Sequence, residues 1–146
     1  MTVSDTTASG QTDAISFDIE LQHSPAKVWR ALTEPELMKE WLLPVLGFKL
    51  EAGAQFMFKT QAYPGWDGTV SCQLLEVEPP HKISYTWTVP FLSTIVTFTL
   101  TPQGAGTRLQ IVQTGFSAQQ KREFGGARYG WKMMSERLVE LLGRTP

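Results

Sequence analysis

Two helical segments bracket a middle that reads almost entirely as strands, and this arrangement constrains the fold more than any other feature. The first, SPAKVWRALTEPELMKEWL, runs from Ser24 to Leu42; the second, GGARYGWKMMSERLVELLG, runs from Gly125 to Gly143. In the first, Ser24 is placed to cap a helix and Pro25 to occupy its first position, where the missing N–H costs nothing. Val28, Trp29 and Leu32 form an apolar stripe. Pro35 opens a second short helix with Glu34 and Glu36 near its positive end. Leu37, Met38, Trp41 and Leu42 are its expected buried side, and Pro44 ends it. In the second segment, Ala127, Trp131, Met134, Leu138, Leu141 and Leu142 recur at spacings of three and four, the period of a helix with one greasy face. Arg128, Lys132, Glu136, Arg137 and Glu140 fall opposite. Gly143 is the expected C-cap. Gly125-Gly126 weakens helix continuity, so Ala118–Phe124 reads as a separate helical piece.

Between the brackets the period is two. Ile15, Phe17, Ile19 and Leu21 alternate with Ser16, Asp18, Glu20 and Gln22, the pattern of a half-buried strand. Further strands are predicted over Phe48–Leu50, Gln55–Gln61, Thr69–Glu78, Lys82–Val89, Ser93–Thr101 and Thr107–Thr114, separated by Gly- and Pro-rich turns. Their short connections favour an antiparallel meander. The expected class is α+β: a curved antiparallel sheet of about 6–7 strands wrapped around a long C-terminal helix, with two short helices after the first strand closing one end. Residues 1–13 are small and polar and read as a flexible tail; residues 14–146 read as a single domain. With 146 residues, the chain can bury roughly 68–70% of its unfolded surface without a disulfide or a metal.

Several functional classes lose support at this level. A formal net charge of -1 gives no pull towards nucleic acid. The single Cys, Cys72, lies in an apolar strand pattern and reads as a buried inert thiol, so no cysteine-based metal site or internal disulfide is expected. His23 and His81 fall at element ends, where solvated surface histidines are expected, and no Ser or Cys stands in a pattern that pairs it with a base. Glu76 with Glu78, and Asp18 with Glu20, read as solvated strand faces. Lys121, Arg122, Arg128, Lys132 and Arg137 are interleaved with Glu123, Glu136 and Glu140, which makes a solvated helix face and not a basic stripe. The N-terminus has neither the basic nor the apolar region of a secretory signal, and no apolar run approaches a membrane span; a cytoplasmic location is the expectation.

SPAKVWRALTEPELMKEWL, the later EVEPPHKISYTW, the GTRLQIVQTGF strand and the Gly130-Trp131 pair resemble a stand-alone domain of the activator of heat-shock protein 90 ATPase homologue family. That family belongs to the START-like (SRPBCC) superfamily, with the helix-grip fold of birch-pollen-allergen-type proteins. The resemblance covers residues from about 15 to 143 and follows the family's motif order. It implies a long C-terminal helix gripped by a curved antiparallel sheet, with a cavity between them. It carries no common catalytic motif onto this sequence, and residues 1–14 are too short to stand for the separate N-terminal domain of the eukaryotic co-chaperones.

The aromatic content then becomes the main lead: five Trp, eight Phe and three Tyr exceed what a minimal core needs. Trp41, Phe56, Phe58, Trp66, Tyr85, Trp87, Phe98, Phe116 and Trp131, with Met134 and Leu138, are the expected cavity residues. Tyr85, Gln113 and Arg128 are the polar candidates that would orient a ligand, Arg128 or Lys132 suiting a carboxylate if it pointed inward. The reading is a non-enzymatic module holding a hydrophobic or amphipathic small molecule, lipid-like or aromatic, with no cofactor and no metal. A co-chaperone role towards a partner of the heat-shock protein 90 type is the alternative, and a cyclase- or hydrolase-like enzyme using the same cavity is a weaker one. No nucleic acid or membrane span is expected, and the chain would act as a monomer or homodimer.

Overall fold

The computed structural model describes residues 2–10, 12–62 and 64–146. Among them the chain forms one antiparallel sheet of eight strands in the order β1-β2-β8-β7-β6-β5-β4-β3, curved and not closed. The strands are β1 (Thr2–Asp5), β2 (Ala14–Leu21), β3 (Val45–Leu46), β4 (Gln55–Lys59), β5 (Thr69–Glu78), β6 (Lys82–Val89), β7 (Leu92–Gln103) and β8 (Gly106–Thr114). The helices are α1 (Pro25–Thr33), α2 (Pro35–Trp41) and α3 (Lys121–Gly143), the last preceded by a 3-10 turn over Ala118–Gln120. This is the expected helix-grip α+β architecture. None of the described helices is long and apolar enough to cross a membrane.

The alternation of β2 is obeyed residue by residue: Ile15, Phe17, Ile19 and Leu21 are buried. Phe17 pairs with Ile111 and Ile19 with Leu109 across β8. Because successive strand side chains point to opposite faces, this register sends one apolar set of every strand towards the helices. Close backbone approaches fix two strand ends. A Cβ at Gly106 would lie 2.3 Å from the Leu21 carbonyl oxygen, where the start of β8 meets the end of β2. Gly68 has φ +84 and a Cβ there would lie 2.1 Å from the Thr60 carbonyl oxygen, so only glycine fits where the chain turns into β5.

In α1, the Ser24 hydroxyl accepts from the Lys27 N–H at 3.2 Å and Pro25 takes the first helical position. Val28, Trp29, Ala31 and Leu32 are buried. In α2, Met38 and Trp41 are buried, and the Trp41 indole donates to the Ala31 carbonyl at 2.9 Å, which ties the two short helices together. The buried stripe of α3 holds Trp131, Leu138, Leu141 and Leu142, with Ala127 and Met134 half-buried alongside.

Several expectations differ from the structure. Thr2–Asp5, within the stretch read as a polar tail, pairs with β2 as an edge strand and seats Val3 against the core; the extended backbone finds hydrogen-bond partners there, which composition alone does not register. The strand expected over Phe48–Leu50 lies at Val45–Leu46 instead. The α3 helix runs unbroken through Gly125 and Gly126, because tertiary packing of its apolar stripe outweighs the weak propensity of two glycines. Gly143 is the last helical residue rather than a cap, and Arg144 follows with φ -108, its N–H bonding the Leu141 and Leu142 carbonyls. His23 is half-buried and not solvated: its Nδ1 faces Lys27 Nζ at 3.1 Å, and the same ammonium donates to the Leu142 carbonyl at 2.9 Å. The end of α3 folds over that corner.

Candidate functional site: the aromatic concave face

The helices α1 and α2 pack on each other, and both contact α3. They close the end of the sheet where β7 turns into β8; Thr107, at the start of β8, donates to the His23 carbonyl at 2.8 Å. At the opposite end lie the β6–β7 hairpin and the turn before β5. There Trp66, Trp87 and Val89 are only half-buried against the core.

Between these ends the expected residues form a connected ring array. Trp41 stands edge-on to Phe98 at 6.3 Å between centroids, and Phe98 is edge-on to Trp131 at 5.9 Å. Trp131 contacts Trp87 at 5.9 Å, and Trp87 contacts Phe58 at 5.3 Å. Phe58 and Phe56 both pack on Tyr85, at 6.0 and 5.2 Å. Phe48, half-buried after β3, joins the array edge-on to Phe56 at 5.0 Å. Edge-to-face and tilted contacts of this kind are the favoured aromatic geometries. Phe116 belongs elsewhere: it pairs with Phe124 at 5.3 Å, at the start of α3. Leu138 is fully buried, and Met134 is half-buried.

The polar candidates separate cleanly. Gln113 is buried on the inner side of β8, and its amide is engaged on both sides. The Trp131 indole donates to Gln113 Oε1 at 2.8 Å, and Gln113 Nε2 donates to Thr94 Oγ1 at 2.9 Å. Thr94 in turn donates to the Trp87 carbonyl at 2.9 Å. This chain of bonds ties α3 to three neighbouring strands. Arg128 points away from the concave face and forms an ion pair with Asp5 of β1. Burial pushes the Asp5 carboxyl up, but the Arg128 guanidinium and hydrogen bonds from Thr7 outweigh it and hold it below its ordinary value. Lys132 is exposed. No inward cation therefore meets a carboxylate among the described residues, and none of their charged side chains belongs to the buried set.

Tyr85 is 1% exposed. Burial, and then the neighbouring Cys72, push its hydroxyl well above its ordinary value. The buried side-chain polar atoms without a partner among the described residues are Asp18 Oδ1, His23 Nε2 and Ser135 Oγ of α3. Burial likewise pushes the Cys72 thiol up to about 12, which matches the inert thiol expected from the sequence. Both groups are protonated at neutral pH, so they are donors and not nucleophiles or bases.

Other sites are accounted for by local structure. Asp18, read as solvated, is half-buried and paired with Arg108, while its Oδ1 has no partner among the described residues. His81 is exposed. Three surface crevices of about 410, 640 and 440 Å³ lie, respectively, between the end of β2 and the β7–β8 turn, along β3 to β6, and beside Trp66 at the turn before β5 and the end of β6. None of these three lies between α3 and the sheet, where the rings pack on each other. Phe48, Thr94 and Cys72 are neighbours of the site that the sequence did not single out as site residues. Extending the Val96, Phe98, Leu100 alternation two residues back would have placed Thr94 inward.

Solved structures of other proteins share the fold. No curated protein matches the chain. A protein from Mesorhizobium loti, MLL2253, is 40% identical, with 91% of this chain and 98% of that one covered and a TM-score of 0.84. CalU16 from Micromonospora echinospora is 23% identical over 98% of this chain and 85% of its own, with a TM-score of 0.73, and shows the fold alone. DynU16, described as a putative protein in the dynemicin biosynthetic locus, shares the fold at 20% identity and a TM-score of 0.78; this chain covers 92% of itself but only 48% of that protein. The model of the family described as activator of Hsp90 ATPase homolog 1-like protein matches residues 22–143. The two bracketing helical segments, the sheet between them and this match together place the chain in the activator of Hsp90 ATPase homologue 1-like family.

Proposed function

We propose that this chain is a non-enzymatic binding module for a hydrophobic small molecule, held between the concave face of the sheet and α3. The observation that carries the reading is the ring array itself, which runs from fully buried Trp41 and Phe98 to half-buried Trp87. An apolar wall that reaches solvent at one end and is closed by α1 and α2 at the other has the composition of a ligand site. The rings fill this space in the free chain, so entry requires Trp87 and its neighbours to swing aside. The protonated state of Tyr85 and Cys72 supports binding over catalysis.

Native mass spectrometry of freshly purified protein is expected to show a co-purifying apolar molecule. Titration with lipids and aromatic compounds is expected to raise the Tm and to change Trp fluorescence through Trp87 and Trp131. Flat responses across both classes would reject the reading. A chaperone-facing role has one observation in its favour: Tyr129 and Met133, 65% and 41% exposed, stand one helical turn apart on the outer side of α3. Stimulation of a heat-shock protein 90 ATPase that Tyr129→Ala abolishes would establish it.

A further inference from the structure

We propose a second binding site, on the outer face of the sheet and separate from the ring array, for a neutral oligosaccharide. The crevices of about 640 and 440 Å³ share Ser71 and Thr88, so they form one trough across β4, β5 and β6. The strand register sets its floor. Gln55 stands opposite Gln73, Met57 opposite Ser71, and Ser71 opposite Thr88. Alternation buries Phe56, Val70 and Cys72 on the inner face and leaves Gln55, Ser71 and Gln73 exposed on the other. Thr86 and Thr88 of β6 are half-buried beside them. The Gln73 N–H donates to Thr86 Oγ1 at 2.8 Å, so the Thr86 hydroxyl keeps its own proton to donate.

The lining decides the class of ligand. Among the described residues of the trough, Asp67 at its Trp66 end is the one charged group, and its Oδ1 already accepts the Thr69 N–H at 3.0 Å. A carboxylate or phosphate would meet no cation in this lining. A purely apolar molecule would strip water from the amides and hydroxyls without replacing their hydrogen bonds. An extended peptide needs the free backbone groups of a sheet edge, whereas β5 and β6 are paired on both sides. What remains is a ligand read by side chains alone and rich in neutral donors and acceptors, which is a polyhydroxylated one. The ends of the trough are apolar: Leu46 and Met57, 52% and 40% exposed, at one, and Trp66 with Pro90 at the other. A pyranose offers C–H faces as well as hydroxyls and so matches both surfaces. Each crevice alone is of a size that holds a small ligand, so together they take an oligomer.

The test is an NMR titration of the full chain with cellotetraose, maltotetraose and, as an anionic control, tetragalacturonate. At least one neutral tetramer is expected to shift the backbone amides of Gln55, Ser71, Gln73 and Thr88 saturably, leaving those of Trp131 and Leu138 on α3 unmoved. Tetragalacturonate is expected to bind at least about tenfold more weakly, and Ser71→Val and Gln73→Leu each to weaken the neutral tetramer about tenfold, the scale of one hydrogen bond. Both positions are exposed, so both variants are expected to keep the Tm of the unchanged chain. No shift with either neutral tetramer overturns the proposal, as does equal binding of tetragalacturonate, or binding that both variants retain in full. Shifts of these amides with protein concentration alone, with a doubled mass in light scattering, would assign the face to a second copy of the chain and overturn it too. The reading of the ring array as an apolar site stands or falls on its own titrations, because the two sites lie on opposite faces of the sheet.

Discussion

Two polar groups face the same apolar interior, and their surroundings are opposite. Gln113, at the corner where β8, β7 and α3 meet, is bonded through both its oxygen and its nitrogen. Tyr85, on β6, is as deeply buried and packs on the rings of Phe56, Phe58 and Phe98, with Cys72 as a neighbour. A satisfied amide in low dielectric rigidifies its neighbours and specifies one arrangement of helix on sheet. Packing among rings supplies contact area without that directional tie. The two halves of the concave face therefore differ: the Gln113 half ties α3 to the sheet by directional bonds, and the Tyr85 half is held by packing among rings.

Substitutions can break this contrast. The largest effect is expected for Trp131→Ala, which empties a fully buried site beside Phe98 and Trp87 and also strips Gln113 Oε1 of its donor. A loss of about 3–5 kcal/mol in urea denaturation is expected. Gln113→Leu tests the polar chain alone, leaving the Trp131 N–H without its acceptor in the interior; about 1–3 kcal/mol should be lost. A negligible loss there, equal to that of Tyr85→Phe, would erase the distinction between the two halves. Arg128→Ala removes a partly exposed ion pair that ties α3 to β1. Its expected cost is about 0.2–1 kcal/mol, shrinking further in high salt, as measured by the same denaturation with and without added salt.

The smallest effect concerns the closed end. Burial first, and then the Lys27 ammonium, hold the His23 imidazole below its ordinary value of 6.5. Lys27 donates to Nδ1, which leaves the proton on the buried, unpartnered Nε2. The folded chain thus favours neutral His23, and the unfolded chain takes up a proton first as pH falls. The stability this group contributes is complete above about 6.5 and declines as pH drops from there towards the lowered folded value. Denaturation midpoints compared between neutral pH and pH about 5 should show the decline, and His23→Gln should flatten it.

The sequence was most legible where one residue type admits one local solution. Ser24-Pro25 and Pro35 set two helix starts, and the two-residue alternation of Ile15–Leu21 set a register that the pairing with β8 reproduces. Propensity misled at Gly125-Gly126, where a helix of this length is held by its packed stripe and not by each residue's preference. Thr2–Asp5 was illegible for a related reason: a single Val among three polar residues becomes a strand only when an edge is present to receive it. Of the candidate site, the aromatic members could be named from composition and alternation. Their roles could not. Arg128 and Gln113 share the polar character of a ligand handle, and nothing in the sequence tells which has already found a partner within the chain.

By itself, then, the order of residues determined the elements, the face each strand turns inward and the family to which the chain belongs. These depend on period and on local geometry, which a linear pattern encodes directly. Only the tertiary structure decided that Arg128 turns to Asp5, that Gln113 is spent on Trp131 and Thr94, and that the Ser135 hydroxyl is left without a partner among the described residues. Those outcomes depend on which groups from distant parts of the chain come within hydrogen-bonding distance. A hydrogen bond forms or fails over a few tenths of an ångström, and that distance exists only after the helix has closed on the sheet.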